Sequence, residues 1–99
     1  MNDVYFENGD FEWNIVKAET NIQKHQTSFK EATTIFTDFG LICYDDEEHS
    51  ISEERQVAIG YSARNRLLTV SFTERNNGRI RIISARKPTS IERKLYENN

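Results

Sequence analysis

The sequence predicts an α+β fold, with two N-terminal helices packed on an antiparallel β-sheet of about four strands and a C-terminal helix closing the chain. Three observations carry this reading. Apolar residues recur at helical spacing between Ile15 and Phe36 and alternate within Arg55 to Tyr61, Arg66 to Thr73 and Arg79 to Ala85. The later strands are joined by hairpin-length connections, which force antiparallel neighbours. Gly and Pro are scarce, with four and one respectively, and no repeat or low-complexity linker interrupts the chain, so one domain over residues 1–99 is expected.

The elements follow in order. Val4 to Trp13 holds two short apolar-rich pieces around Asn8-Gly9-Asp10, so residues 1–10 are expected to form an N-terminal arm or the start of a short β-ribbon. Asn14 is placed to cap a helix whose apolar stripe is Ile15, Ala18, Ile22 and His25, with Lys17, Asn21 and Lys24 on its flank. Ser28-Phe29-Lys30-Glu31 reads as a capping box opening a second short helix with Phe29, Ala32, Ile35 and Phe36 facing inward. Leu41 to Tyr44 is a short strand with Cys43 as a buried small hydrophobe, and the acidic run Asp45 to Glu48 before His49 is an exposed loop.

Three longer strands are expected at Arg55 to Tyr61, Arg66 to Thr73 and Arg79 to Ala85. Asn76-Asn77-Gly78 supplies the last turn. Pro88 stops the third strand, and Thr89-Ser90-Ile91-Glu92 is a second capping box opening a helix that reaches Tyr96. Trp13, the single Trp, is expected to anchor the core.

Charge divides this layout in two. Residues 1–54 hold thirteen acids against three bases, net −10, and residues 55–99 hold ten bases against three acids, net +7. Eight of those ten bases are Arg, which presents a planar, permanently charged fork suited to phosphate. A concentrated Arg field on strands points to a polyanion. A single cysteine excludes an intramolecular disulfide and a Cys-based zinc cage. No signal peptide and no membrane-length apolar run is visible, so a cytoplasmic protein with no membrane association is expected.

With Val57, Ile59, Leu68, Val70, Phe72, Ile80 and Ile82 facing the helices, the other sheet face would present Ala58, Gly60, Thr69, Ser71, Thr73, Arg75, Arg79 and Arg81. A phosphodiester backbone fits such a face, although strand arginines also solvate an open sheet. Arg66 and Arg86 fall at strand ends, where a small backbone bend can aim a side chain into a cleft. RNA cleavage needs positive charge at the phosphate and proton carriers for the 2′-hydroxyl and leaving oxygen. Arginine suits the first task. His49, Glu53, Glu54 and Tyr96 are the candidates for the second. His25, His49 and Cys43 lack metal-ligand spacing, so no metal and no cofactor is expected. Without an aromatic platform for bases, a generic RNA-binding domain fits less well.

The ordered set of motifs carries more. It runs through Phe11-Glu12-Trp13-Asn14, Lys17, Asn21, Lys24-His25, Phe29-Lys30-Glu31-Ala32 and Ile35-Phe36-Thr37-Asp38. It continues with His49, Glu53-Glu54-Arg55, Ile59-Gly60-Tyr61-Ser62, Arg66-Leu67-Leu68, Thr73-Glu74-Arg75, Ile80 to Lys87, Glu92-Arg93 and Tyr96. This set resembles the BrnT family of bacterial type II toxins. The resemblance implies a RelE-like fold, endoribonuclease activity that arrests growth, a BrnA-type antitoxin as partner, and contact with DNA only through the antitoxin complex. It implies functional roles for Arg66, Arg86 and Tyr96, and for Arg55 on the preceding strand. The expected catalytic set is therefore Arg66, Arg86, Tyr96, His49 and Glu54, with Arg55, Arg64, Arg75, Arg79 and Arg81 holding flanking RNA phosphates. Two loop positions depart from the family pattern: Gln26 stands where Gly is common after Lys-His, and Phe39 where Pro is common after Asp. The alternative is a non-catalytic module that binds nucleic acid or antitoxin within a repressor complex.

Overall fold

A computed structural model describes residues 5–50 and 53–99. Strands β1 (Tyr5–Asn8) and β2 (Phe11–Asn14) precede helices α1 (Ile15–His25) and α2 (Phe29–Thr33), the latter running on as a 3-10 turn, Thr34–Thr37. Strand β3 (Ile42–Asp45), a short 3-10 turn (Glu47–His49), strands β4 (Gln56–Tyr61), β5 (Leu67–Glu74) and β6 (Ile80–Arg86), and helix α3 (Ser90–Glu97) complete the chain. Residues 1–4, where the expected arm begins, lie outside the described residues.

The sheet is mixed and has six strands, in the order β1-β2-β6-β5-β4-β3, rather than being antiparallel with about four. The difference is the N-terminal ribbon. Gly9, at φ 62°, turns β1 into β2, and β2 then lies parallel to β6 with Phe11 opposite Ile80 and Trp13 opposite Ile82. A lone ribbon is marginal in water, and docking on β6 carries Trp13 into the core with Phe11 packed against it. Trp13 meets Phe29 edge-on at 6.2 Å, inside a core that also holds Ile35, Leu68, Val70 and Phe72.

Both N-terminal caps form as expected, with Asn14 Oδ1 accepting from Lys17 N at 3.0 Å and Ser28 Oγ accepting from Glu31 N at 3.0 Å. The helices themselves differ from expectation. The only fully buried residue of α1 is Asn21, while Ile15 and Ile22 are exposed. Asn21 turns inward because its amide can complete the backbone of β6 at Ala85, beyond the residues that pair with β2. Its Nδ2 donates to Ala85 O (2.8 Å) and Thr27 O (2.9 Å), and its Oδ1 accepts from Ala85 N (3.2 Å). The expected second helix shortens to five residues of α-helix before tightening into the 3-10 turn. Gln26 ends α1 at φ 51°, a left-handed conformation that favours glycine.

Strand β4 faces the opposite way from expectation. Ala58 and Gly60 lie opposite Val70 and Leu68 on the side of α1 and α2, and Val57, Ile59 and Tyr61 point to the other side. That side is covered by α3, whose Tyr96 meets Tyr61 edge-on at 5.4 Å, so β4 is buried on both faces and alternation alone could not orient it. The small pair leaves room for the turn after α2: a Cβ on Gly60 would lie 3.3 Å from Ile35 O. Cys43 is exposed rather than buried, because β3 is an edge strand with only one neighbour.

Strand β6 carries the feature that makes the site. Ser71 pairs with Ser84 and Phe72 pairs with Ile82, so Ile83 is an extra residue on β6. This bulge reverses the alternation. Ile80 and Ile82 face the core before it and Ala85 does so after it, which turns Ser84 and Arg86 to the opposite face.

Candidate active site

On that opposite face, between the first turn of α3 and the Glu47–His49 turn, lies a cleft of about 410 Å³. Ser71, Ser84, Tyr44 and Val57 line it together with Arg86, Glu92, Arg55, Asp46, Glu48 and His49. Sequence-distant residues meet here because β4, β5 and β6 are neighbours and the loop after β3 folds back over their ends.

Arg86 is held by Glu92 through two parallel bonds, Nη1 to Oε1 at 2.7 Å and Nη2 to Oε2 at 3.0 Å, and Nη1 also donates to Lys87 O at 3.1 Å. Glu92 is fixed in turn. As the third residue of α3 it completes a full capping box, accepting from Thr89 N at 2.8 Å, and Thr69 Oγ1 donates to it at 3.1 Å. Burial opposes its ionisation, but Arg86, the Thr89 N–H and Thr69 outweigh burial and hold the carboxyl down at about 2. The same pairing raises Arg86 further above the ordinary guanidinium value. The strand bulge and the helix cap thus fix one guanidinium from two sides.

His49 stands on the 3-10 turn with Nδ1 3.0 Å from Asp46 Oδ2, and Asp46 is itself tied to the sheet through its backbone N–H, which donates to Arg55 O at 2.8 Å. Arg55 lies beside Glu53, its Nε 3.6 Å from Glu53 Oε1. That Nε is shielded from solvent and has no hydrogen-bond partner among the described residues. Arg55 thus adds a second guanidinium to the lining of the cleft.

Of the expected catalytic residues, the cleft brings together Arg86 and His49, with Arg55 from the RNA-binding set. Arg66 sits on the other side of the sheet end. Its Nε donates to Glu31 Oε2 at 2.9 Å, its Nη2 to Glu31 Oε1, and Ser62 Oγ donates to the same carboxylate at 2.7 Å. The expected capping box at Ser28 is therefore only half made, its Glu31 drawn away by Arg66. Tyr96 does not line the cleft. It donates to Asp38 Oδ2 at 2.7 Å, and that bond, with burial, pushes its phenol up to about 12. Asp38 also accepts from Tyr61 N (2.8 Å) and Gly40 N (3.0 Å), which outweigh burial and keep its carboxyl below the usual range. Glu54 lies outside the cleft with its backbone carbonyl accepting from Thr73 Oγ1 at 2.6 Å.

The other arginines of the expected RNA-binding set contact the acidic half. Arg81 binds the buried Glu12 through Nε (2.8 Å) and Nη2 (2.5 Å), Arg75 reaches Glu53 at 3.3 Å, and Arg64 lies 3.9 Å from Glu31. Arg79 donates from Nε to Gly9 O at 3.4 Å. The charge division of the sequence is thus partly a set of ion pairs across the fold. Sequence reasoning missed Glu92 as the Arg86 partner and Asp46 as the His49 partner. The capping-box signal marked Glu92 only as a helix start, and nothing in the acidic run distinguished Asp46.

Among the described residues, no group of three or more His, Cys, Asp and Glu could hold a metal ion, and no helix is long and apolar enough to cross a membrane. No curated protein matches this chain. A family model does match it, over residues 13–92, and its description reads "Ribonuclease toxin, BrnT, of type II toxin-antitoxin system".

Proposed function

We propose that this chain, which belongs to the BrnT family of ribonuclease toxins of type II toxin–antitoxin systems, is a metal-independent endoribonuclease whose chemistry is carried by the Arg86 cleft. Membership implies an RNA substrate and an antitoxin partner. A BrnA-type antitoxin, a RelE-like single domain and a cytoplasmic location are the finer parts of this reading, with DNA reached only through the antitoxin complex.

The observation that carries the mechanism is the meeting of Arg86, Arg55 and an Asp46-held His49 in one cleft. The RNA's own 2′-hydroxyl attacks the adjacent phosphorus. A bond forms from O2′ to phosphorus, and the bond from phosphorus to O5′ breaks. Negative charge grows on the non-bridging oxygens, where guanidinium donors held in place before reaction stabilise it most. Arg86, fixed by Glu92, and Arg55 supply those donors. Imidazole can both accept and donate a proton near neutral pH. With Nδ1 turned to Asp46, His49 takes the 2′-hydroxyl proton at Nε2, and the imidazolium then protonates the departing O5′. Arg66 and the other paired arginines serve support and grip rather than the chemical step.

The test is incubation of purified protein with RNA in EDTA, followed by mapping of the ends. Cleavage leaving 2′,3′-cyclic phosphate is expected, with none where the RNA carries 2′-deoxy sugars. No cleavage, or cleavage only with added divalent metal, would overturn the reading. The alternative, a non-catalytic binding module, draws on the fact that Glu92 already occupies the Arg86 fork. Growth that continues unimpaired when the folded chain is expressed without antitoxin would favour it.

A further inference from the structure

A second depression adjoins the cleft on the far side of the α3 N-terminus. It has a volume of about 520 Å³ and is lined by Tyr61, Asn65, Arg66, Lys87 and Arg93 among others. Its charge is of one sign. Among the described residues three cations line it and no carboxylate does, whereas the Arg86 cleft sets Asp46, Glu48 and Glu92 against its arginines. Lys87 and Arg93 are exposed and form no ion pair among the described residues. Arg66 in the same wall is anchored on Glu31, which keeps its charge in place.

The two depressions share a border made of consecutive residues. At the end of β6, Arg86 turns into the cleft and Lys87 into the groove. In the first turn of α3, Glu92 turns into the cleft and Arg93 into the groove. A strand whose phosphate sat at Arg86 would run directly into this groove.

We infer that the Lys87–Arg93 groove binds the single-stranded RNA flanking the cleaved phosphate, gripping its backbone electrostatically while the Arg86 cleft performs the reaction. This rests on the ribonuclease reading above. A groove of one charge sign is suited to a backbone rather than to base identity, so the grip is independent of sequence. Tyr61 provides an aromatic wall, braced edge-on by Tyr96.

The experiment follows binding of a fluorescein-labelled, fully 2′-O-methylated oligoribonucleotide by anisotropy across a salt series. The methylated strand lacks the attacking hydroxyl, so binding is read without cleavage. For single strands each phosphate contact contributes about −0.7 to the slope of log K against log salt. Lys87→Ser with Arg93→Ser should flatten that slope by about 1.4 and weaken binding about tenfold or more at low salt. The exposed Lys30→Ser on α2 should change neither quantity. Circular dichroism verifies the fold of each variant. An unchanged slope and affinity in the double variant, or no binding by the parent chain, would overturn the inference. So would a double variant that binds RNA normally but no longer co-purifies with its antitoxin, which would make the groove a protein-docking surface. A parent chain that binds the methylated strand through this groove yet fails to cut native RNA would defeat the ribonuclease reading alone.

Discussion

Arg66 and Arg86 look equivalent in the sequence and are nearly equally exposed, at 35% and 38% of the side chain, yet they occupy regions of opposite character. The Arg66 corner is tied down, although Arg66 also lines the flanking groove. Its carboxylate partner, Glu31, is 5% exposed, receives Ser62 as well, and ties α2 to the start of β5. The Arg86 region is open. Its partner Glu92 sits at a helix start beside a cleft that also holds His49 and Arg55. The lesson is that neither charge nor exposure separates an arginine that holds the fold from one offered to a ligand. What separates them is whether an imidazole stands beside the pair, as His49 does at Arg86.

Substitutions can break this comparison, the largest effect first. Arg86→Ala is expected to lower the cleavage rate about 10²–10³-fold, the range for losing one preorganised donor, while circular dichroism shows an intact fold. Arg66→Ala should do the reverse. It leaves Glu31 buried without its main partner and should cost about 2–3 kcal/mol in urea unfolding, with a smaller loss of cleavage. Equal activity losses in both variants at matched stability would erase the distinction.

Glu92→Gln sharpens it by isolating one charge, since Gln also supports a capping box. The Glu92 carboxyl titrates at about 2 in the folded chain against 4.5 ordinarily. A depressed folded value means the ionised form stabilises the fold fully above about pH 4.5, and that contribution is lost as pH falls towards 2. The variant should therefore be less stable than the parent at pH 7 by about 1–3 kcal/mol, solvent screening at the part-exposed Arg86 reducing the full linkage value. The gap should close between pH 4.5 and 2, as followed by urea unfolding at each pH.

Tyr96→Phe carries the smallest effect. Removing one of the three donors on Asp38 should cost about 1–2 kcal/mol. The cleavage rate should be unaffected, because the hydroxyl is committed to Asp38 outside the cleft. A large fall in rate with normal stability would return Tyr96 to the catalytic set that the family resemblance implied.

Much of the fold was legible because it rests on local rules. Asn14, Ser28 and Thr89 cap the helices that their side-chain chemistry predicts. Strands β3 to β6 start and end within one residue of the alternation that marks them. Glycine's role was legible too, in that Gln26 occupies a left-handed position where the family pattern has Gly. The site was less legible. His49, Arg55 and Arg86 were candidates from charge and position, but their meeting depends on strand order and on the loop after β3. Glu92 and Asp46 gave no sequence signal of their partners, because ion pairing is set by distance in space.

The charge halves, the caps, the strands and the identity of the cationic residues were determined by the sequence alone, since each follows from composition or from neighbours a few positions apart. Only the tertiary structure decided where those charges point. One extra residue in β6 reverses its alternation and swings Arg86 away from the core, and α3 buries β4 from the side its pattern left open. Both are consequences of register and packing between distant segments, which periodicity along one strand does not encode.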